Sequence, residues 1–209
     1  MIEWRLCFIA DSEALAQKDL IQVISKAVKG GVTLIQLRGK KWSDREFFSL
    51  AREAREILKP KKIPLIINDR IDIALAAEAE GVHLGQKDLP LKVARKLAGD
   101  RLIIGISVNT IEEAKEAESE GANYVGAGPV FWTGSKADLR PTLGVEGLRS
   151  ICQAVRIPVI AIGGITATSV PEIMASGASG VAVISAITRA DDPEQAARAL
   201  REAIDLSIR

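Results

Sequence analysis

The sequence predicts an α/β protein built as a single (β/α)8 barrel of the TIM-barrel class, one domain spanning residues 1–209. Three observations point there. Eight short β-branched runs alternate with eight longer amphipathic segments along the whole chain. Several of the runs, such as Leu65-Ile66-Ile67 and Val159-Ile160-Ala161-Ile162, are apolar throughout, as in parallel strands buried on both faces. An open doubly wound sheet is the alternative, and no Gly-x-Gly-x-x-Gly follows an early strand.

In chain order the strands are expected at 5–10, 33–37, 64–67, 81–84, 102–107, 124–127, 159–162 and 180–184, and the helices at 14–29, 44–59, 71–80, 91–98, 111–120, 145–155, 169–176 and 193–207. Ser43 with Glu46 and Thr110 with Glu113 have the spacing of capping boxes. Gly81, Gly121 and Gly177 fall where helices end. Pro193, after Asp191-Asp192, suits a first helical turn. The longest irregular stretch, 128–144, has the length of a loop that is either disordered or functional.

The chain's 209 residues are 47% hydrophobic and 26% charged, ordinary for a sizeable core. Lysine and arginine total 28 against 27 aspartate and glutamate, a net charge of +1 that argues against nucleic acid or a membrane surface as partner. No signal peptide and no membrane span is read. Two cysteines, Cys7 and Cys152, form neither a disulfide framework nor a zinc spacing, so a reducing cytoplasm is expected. Monomer and homo-oligomer both stay open.

Chemistry in such a barrel sits where strands end. After strand two come Gln36, Leu37, Arg38, Gly39 and Lys40, whose cations suit phosphate oxygens but also a solvated loop. Gln36, just inside the strand end, needs hydrogen-bond partners that a heterocycle can supply. Strand three delivers Asn68, Asp69 and Arg70, and strand four Asp88. Two carboxylates on neighbouring strand ends are how a protein holds Mg²⁺ beside phosphates, yet each precedes a helix and alone reads better as an N-cap, so only their conjunction with the cations favours metal. Ser107 ends strand five as a phosphate ligand or a turn residue. Small residues, hydroxyls and a lysine follow strand six: Thr133, Gly134, Ser135 and Lys136. Gly163-Gly164 after strand seven and Ile184-Ser185 after strand eight match the recurrent phosphate site of the fold. His83, the only histidine, reads as a packed or strand-end residue, and Trp4 and Trp42 as packing. Two phosphate regions and a metal site without an obvious general base suit departure of a metal-bound pyrophosphate.

Taken together these segments resemble the thiamine phosphate synthase family: Gly30 to Lys40 with its Gln-Leu-Arg-x-Lys, Ile67-Asn68-Asp69-Arg70, Gly81 to Pro90, Gly128 to Lys136, Ile162 to Ile165 and Val183 to Ile187, in order over roughly 6 to 205. The resemblance implies a transferase that condenses hydroxymethylpyrimidine pyrophosphate with thiazole phosphate to thiamine phosphate and pyrophosphate. It implies Asp69 and Asp88 as ligands of a Mg²⁺ cofactor, and Arg38 and Lys136 beside them in catalysis. Gln36 to Lys40, Asn68, Ser107 and Lys136 would take the pyrimidine pyrophosphate; Thr133 to Ser135, Gly164, Ile184 and Ser185 the thiazole phosphate. The implied mechanism is dissociative, with a pyrimidine-stabilised cation captured by the thiazole nitrogen. Cys7 and Ala10 stand where the family often has tyrosine and threonine, and Gly39 where glutamate is common.

A thiazole-isomerising paralogue tends to lose the Asn-Asp pair and to carry histidine where Pro129 stands, and this chain matches neither departure. A non-catalytic binder of thiamine precursors leaves the metal ligands unexplained. A sugar-phosphate barrel leaves Gln36 and the Asp69/Asp88 pair without a role.

Overall fold

The computed structural model describes residues 2–15, 18–134 and 140–208. Eight parallel strands form a closed barrel in sequence order: β1 (Leu6–Asp11), β2 (Leu34–Arg38), β3 (Leu65–Asn68), β4 (Gly81–Leu84), β5 (Ile103–Val108), β6 (Tyr124–Ala127), β7 (Val159–Ile162) and β8 (Gly180–Val183). β1 closes the ring against β8, with Cys7 opposite Ala182. Around it lie α1 (Leu20–Lys29), α2 (Asp44–Leu58), α3 (Ile71–Ala76), α4 (Leu91–Ala98), α5 (Ile111–Ser119), α6 (Gly144–Ala154), α7 (Val170–Ala175), α8 (Ser185–Thr188) and α9 (Pro193–Ser207).

The strand and helix periods together divide the core into two layers. Residues one step apart on a strand face opposite ways. Leu6, Phe8 and Ala10 of β1 therefore join the large outer cluster with the helices, while Cys7 and Ile9 join Leu34, Ile66, Tyr124, Ile160, Ala182 and Ile184 inside the barrel. The same alternation puts Gln36, Arg38, Asn68, His83 and Ser107 on inward positions, each within one or two residues of a strand's C-terminal end.

Three expectations about helix ends need correction. The first helix begins at Leu20, not 14, because Asp19 accepts hydrogen bonds from Ile21 N and Gln22 N and fixes the N-cap there. Gly81 does not end a helix. It opens β4, where a Cβ would meet Ile103 O at 2.5 Å, and the left-handed residue after α3 is Glu78. Ser43 and Glu46 form a full capping box, but at Thr110 only half exists: Thr110 accepts from Glu113 N while the Glu113 carboxylate takes Asn109 N and Arg140 instead. The four-residue α8 escaped the sequence reading, being shorter than any periodicity can show.

One glycine of the barrel interior sits directly against an aromatic ring. A Cβ on Gly105 would lie 2.1 Å from Cζ of Tyr124, whose ring fills the space across from it. Gly105→Ala is expected to lower stability by about 3 kcal/mol, the scale of overpacking a filled core, read as a lowered midpoint in urea unfolding.

Candidate active site

At the C-terminal mouth of the barrel the carboxyl groups of Asp69 and Asp88 stand close enough for Asp88 to act on the Asp69 carboxyl by hydrogen bond and charge. Asp69 adopts a left-handed backbone (φ 64°), tolerated by aspartate, and its N–H donates to His83 O at 2.8 Å, tying the end of β3 to β4. Asp88 Oδ2 accepts from Gly85 N at 2.7 Å within its own turn. Neither is an N-cap: Arg70 and Pro90 hold those places for α3 and α4, without side-chain capping bonds. The capping reading therefore fails for both. Burial, then the hydrogen bond and charge of Asp88, push the Asp69 carboxyl up to about 6, against the opposing pull of Lys40 and Arg38. Lys40 Nζ stands 3.7 Å from Asp69 Oδ2.

Arg38 is buried and pinned by two acids. Its Nη1 donates to Asp11 Oδ2 and, at 3.2 Å, to Glu13 Oε2. Asp11, itself buried, was missed in the sequence, although it ends β1 as Asp69 follows β3 and obeys the same strand-end rule. Arg70 turns away from the site to Asp44 and Asp72 on the surface. Leu37 faces the outer layer and offers only its backbone. Gly39 has a steric reason, since a Cβ would lie 2.3 Å from the Trp42 ring.

Below the mouth lies a pocket whose polar lining is Gln36, His83, Ser107 and Tyr124, against an apolar wall that includes Cys7, Ile9 and Ile160. Ser107 serves neither a turn nor a cap: its Oγ lies 2.8 Å from His83 Nε2, and His83 Nδ1 lies 2.9 Å from the Tyr124 hydroxyl. His83 is thus packed, as the sequence suggested, but has partners the sequence did not reveal. Burial pushes the Cys7 thiol up to about 12, so it stays protonated and is no nucleophile. Asn68 is buried at the end of β3, in register with His83.

On the opposite side of the mouth the strand-six loop leans on the strand-seven loop. Val130 N donates to Ile162 O and Phe131 N to Gly163 O. Gly164, at φ 65°, has no room for a side chain, since a Cβ would sit 2.6 Å from Trp132 O. Asn109 Nδ2 bridges both arms of the loop, donating to Gly128 O and Pro141 O at 3.0 Å each. Thr133 and Gly134 lie on the first arm, and Ile184 and Ser185 at the start of α8. Ser135 and Lys136 lie outside the described residues.

A closed barrel with paired carboxyl groups at its C-terminal mouth and a pocket with a polar lining below them defines an enzyme for phosphorylated small molecules. The family model described as thiamine monophosphate synthase matches residues 6–187, and the chain belongs to that family. It is 46% identical to the thiamine-phosphate synthase of Clostridium novyi (strain NT), covering 95% of this chain and 98% of that one. Against the thiamine-phosphate synthase of Syntrophomonas wolfei subsp. wolfei identity is 48%, covering 96% of both. The solved thiamine phosphate pyrophosphorylase of Pyrococcus furiosus superposes with a TM-score of 0.91 at 38% identity, over 99% of this chain and 98% of that one. A 3-hexulose-6-phosphate synthase, at TM-score 0.74 and 21% identity, shares the fold alone. Among the described residues no helix is long and apolar enough to cross a membrane.

Proposed function

We propose that this barrel condenses 4-amino-2-methyl-5-hydroxymethylpyrimidine pyrophosphate with 4-methyl-5-(2-phosphoethyl)thiazole, giving thiamine phosphate and pyrophosphate. The observation that carries the reading is the Asp69/Asp88 pair standing with Lys40 at the mouth of a pocket that presents Gln36 and Ser107.

The donor chemistry fits Mg²⁺. Asp69 and Asp88 form a hard oxygen pair whose mutual repulsion a divalent cation relieves. No group of three or more metal-ligating side chains occurs among the described residues; Asp69 and Asp88 would hold the ion, and substrate oxygens and water would supply its other ligands. When bound, the ion offsets charge on the leaving pyrophosphate.

The chain's own residues do the rest. Gln36 and Ser107 orient the pyrimidine, with Asn68 beside them, and the backbone of Leu37 and Gly39 lines the strand-two turn. Lys40 faces the pyrophosphate, and Lys136 adds a second cation from the strand-six loop. Arg38 contributes shape and field, its charge largely met by Asp11 and Glu13. Backbone N–H groups of Gly164 and Ser185, with Ile184, Thr133, Gly134 and Ser135, take the thiazole phosphate. As pyrophosphate leaves, the electron-rich ring carries the positive charge, and the thiazole nitrogen, held by its phosphate on the facing side, closes the new C–N bond. Nothing must abstract a proton, which agrees with a site whose one histidine is locked inside the barrel. The reading places the enzyme in the reducing cytoplasm, where the free thiols of Cys7 and Cys152 persist.

A phosphate ion soaked into crystals is expected against the backbone of Gly164 and Ser185, and phosphate is expected to compete with thiazole phosphate in solution. Ordered anions only elsewhere, with that site open, would remove those loops from the mechanism.

A further inference from the structure

We propose that in the free protein the Glu13 carboxylate holds the place of a substrate phosphate, and that pyrophosphate displaces it to reach Arg38. The proposal rests on the reading of this mouth as the pyrophosphate site.

Two acids at the end of β1 meet one guanidinium nitrogen. Arg38 Nη1 donates to Asp11 Oδ2 and, at 3.2 Å, to Glu13 Oε2. Their surroundings differ. The Asp11 side chain is 1% exposed, stands opposite Arg38 in the strand register, and accepts from Glu13 N at 2.7 Å through its other oxygen. The Glu13 side chain is 45% exposed, and its Oε1 lies 4.0 Å from Lys41 Nζ.

That difference decides which acid yields. Breaking a buried ion pair strands an uncompensated charge and is strongly destabilising. A half-exposed pair contributes little and is screened by salt. Asp11 is therefore the fixed anchor of Arg38, and Glu13 is the partner that leaves.

The place Glu13 covers suits a phosphate. Its two oxygens are divided between two cations, Oε2 on Arg38 and Oε1 toward Lys41, as two oxygens of one phosphate would be. Lys40, between them in the chain, turns its Nζ to within 3.7 Å of Asp69 Oδ2, so the same turn faces the carboxyl pair. Backbone contacts hold the two loops together without Glu13. Ser12 N donates to Arg38 O at 2.9 Å, and Lys41 N donates to Ser12 Oγ at 3.4 Å. A swing of the Glu13 side chain alone thus uncovers the cations. The exchange trades one anion for another, and the returning carboxylate helps pyrophosphate to leave after the reaction.

The test is calorimetric binding of inorganic pyrophosphate in the presence of Mg²⁺. Glu13→Gln keeps the shape of the side chain and removes its charge, and its Kd should fall about three- to fivefold, the scale of one partly exposed ion pair. Glu13→Asp keeps the charge but draws it back by one methylene, and should still tighten binding by at least about twofold. Glu112→Gln removes an exposed acid at the start of α5 and should leave the Kd unchanged. An unchanged or raised Kd in Glu13→Gln overturns the proposal, and leaves the coupling reading standing if thiamine phosphate still forms. A Glu13→Asp Kd equal to that of the unaltered protein also overturns it, as does a fall in Glu112→Gln that matches Glu13→Gln. Either result reduces the effect to long-range charge. No pyrophosphate binding by any form would remove the coupling reading together with this one. Tighter binding in both Glu13 variants of a protein that forms no thiamine phosphate would uphold the exchange and sink the coupling reading.

Discussion

Asp69→Asn and Asp88→Asn are each expected to lower the rate of thiamine phosphate formation by at least about 100-fold, the scale of losing one group that offsets charge in a transition state. The structure also predicts a gain in stability from the same change. The Asp69 carboxyl rises from 3.8 to about 6, through burial first and Asp88 second. A carboxyl whose folded value is raised makes the folded state the better proton binder. Its stabilising contribution is present below the ordinary carboxylate range and is lost as pH rises through about 6. At pH 8, with chelator present, the wild-type protein therefore carries the full repulsion of the pair. Asp88→Asn removes that like charge and leaves only burial, so it should raise Tm at pH 8 and give no such gain at pH 4. Added Mg²⁺ should stabilise the wild type and have less effect on the variant, since binding to the folded state alone raises stability by mass action. Scanning calorimetry at both pH values reads all of this. A variant less stable than wild type at pH 8 would show that the pair is structural, and near-normal activity at limiting Mg²⁺ would remove it from the chemistry.

Lys136→Ala is expected to reduce kcat by about 100-fold or more with a smaller change in KM. The reason lies in the balance of charge among the described cations of the site. Arg38 is met by Asp11 and Glu13, and Lys40 shares Asp69, so the described cations are already partly answered before a pyrophosphate arrives. A further cation is needed where charge develops, and we assign that part to Lys136, which comes after strand six in the sequence. Steady-state kinetics with saturating pyrimidine pyrophosphate separate the two parameters. An unchanged kcat would exclude Lys136 from the departing step.

The contrast between Asp69 and Asp11 shows what the sequence could disclose. Runs such as Leu65-Ile66-Ile67 announce their buried, parallel surroundings by composition alone, so strand positions were legible to within a residue or two. Strand ends followed, and with them Gln36, Asn68 and Ser107 as inward-facing polar groups and Asp69 just beyond β3. What composition does not encode is which of two neighbouring polar groups satisfies the other. Asp11 closing on Arg38, and Ser107 turning to His83, are contacts between residues 27 and 24 positions apart that the pairing of β1 with β2 and of β4 with β5 brings together. Asp69 and Asp88 kept two readings in sequence because a carboxylate before a helix suits both a cap and a metal. The left-handed backbone at Asp69 and the turn bond at Asp88 decided against the cap, and neither has a pattern in the residues themselves. Gly39 is the converse case, a departure from the family that becomes a packing requirement once Trp42 is seen lying over it.

The central claim is coupling driven by charge neutralisation and not by proton abstraction, and one measurement bears on it most directly. The protein is incubated with both phosphorylated substrates and followed by phosphorus NMR, with Mg²⁺ and then with excess chelator. Thiamine phosphate and pyrophosphate should appear in equal amounts with Mg²⁺ and stop appearing when it is removed, while thiazole alone stays unchanged. Metal-independent isomerisation of the thiazole, without coupling, would contradict the account.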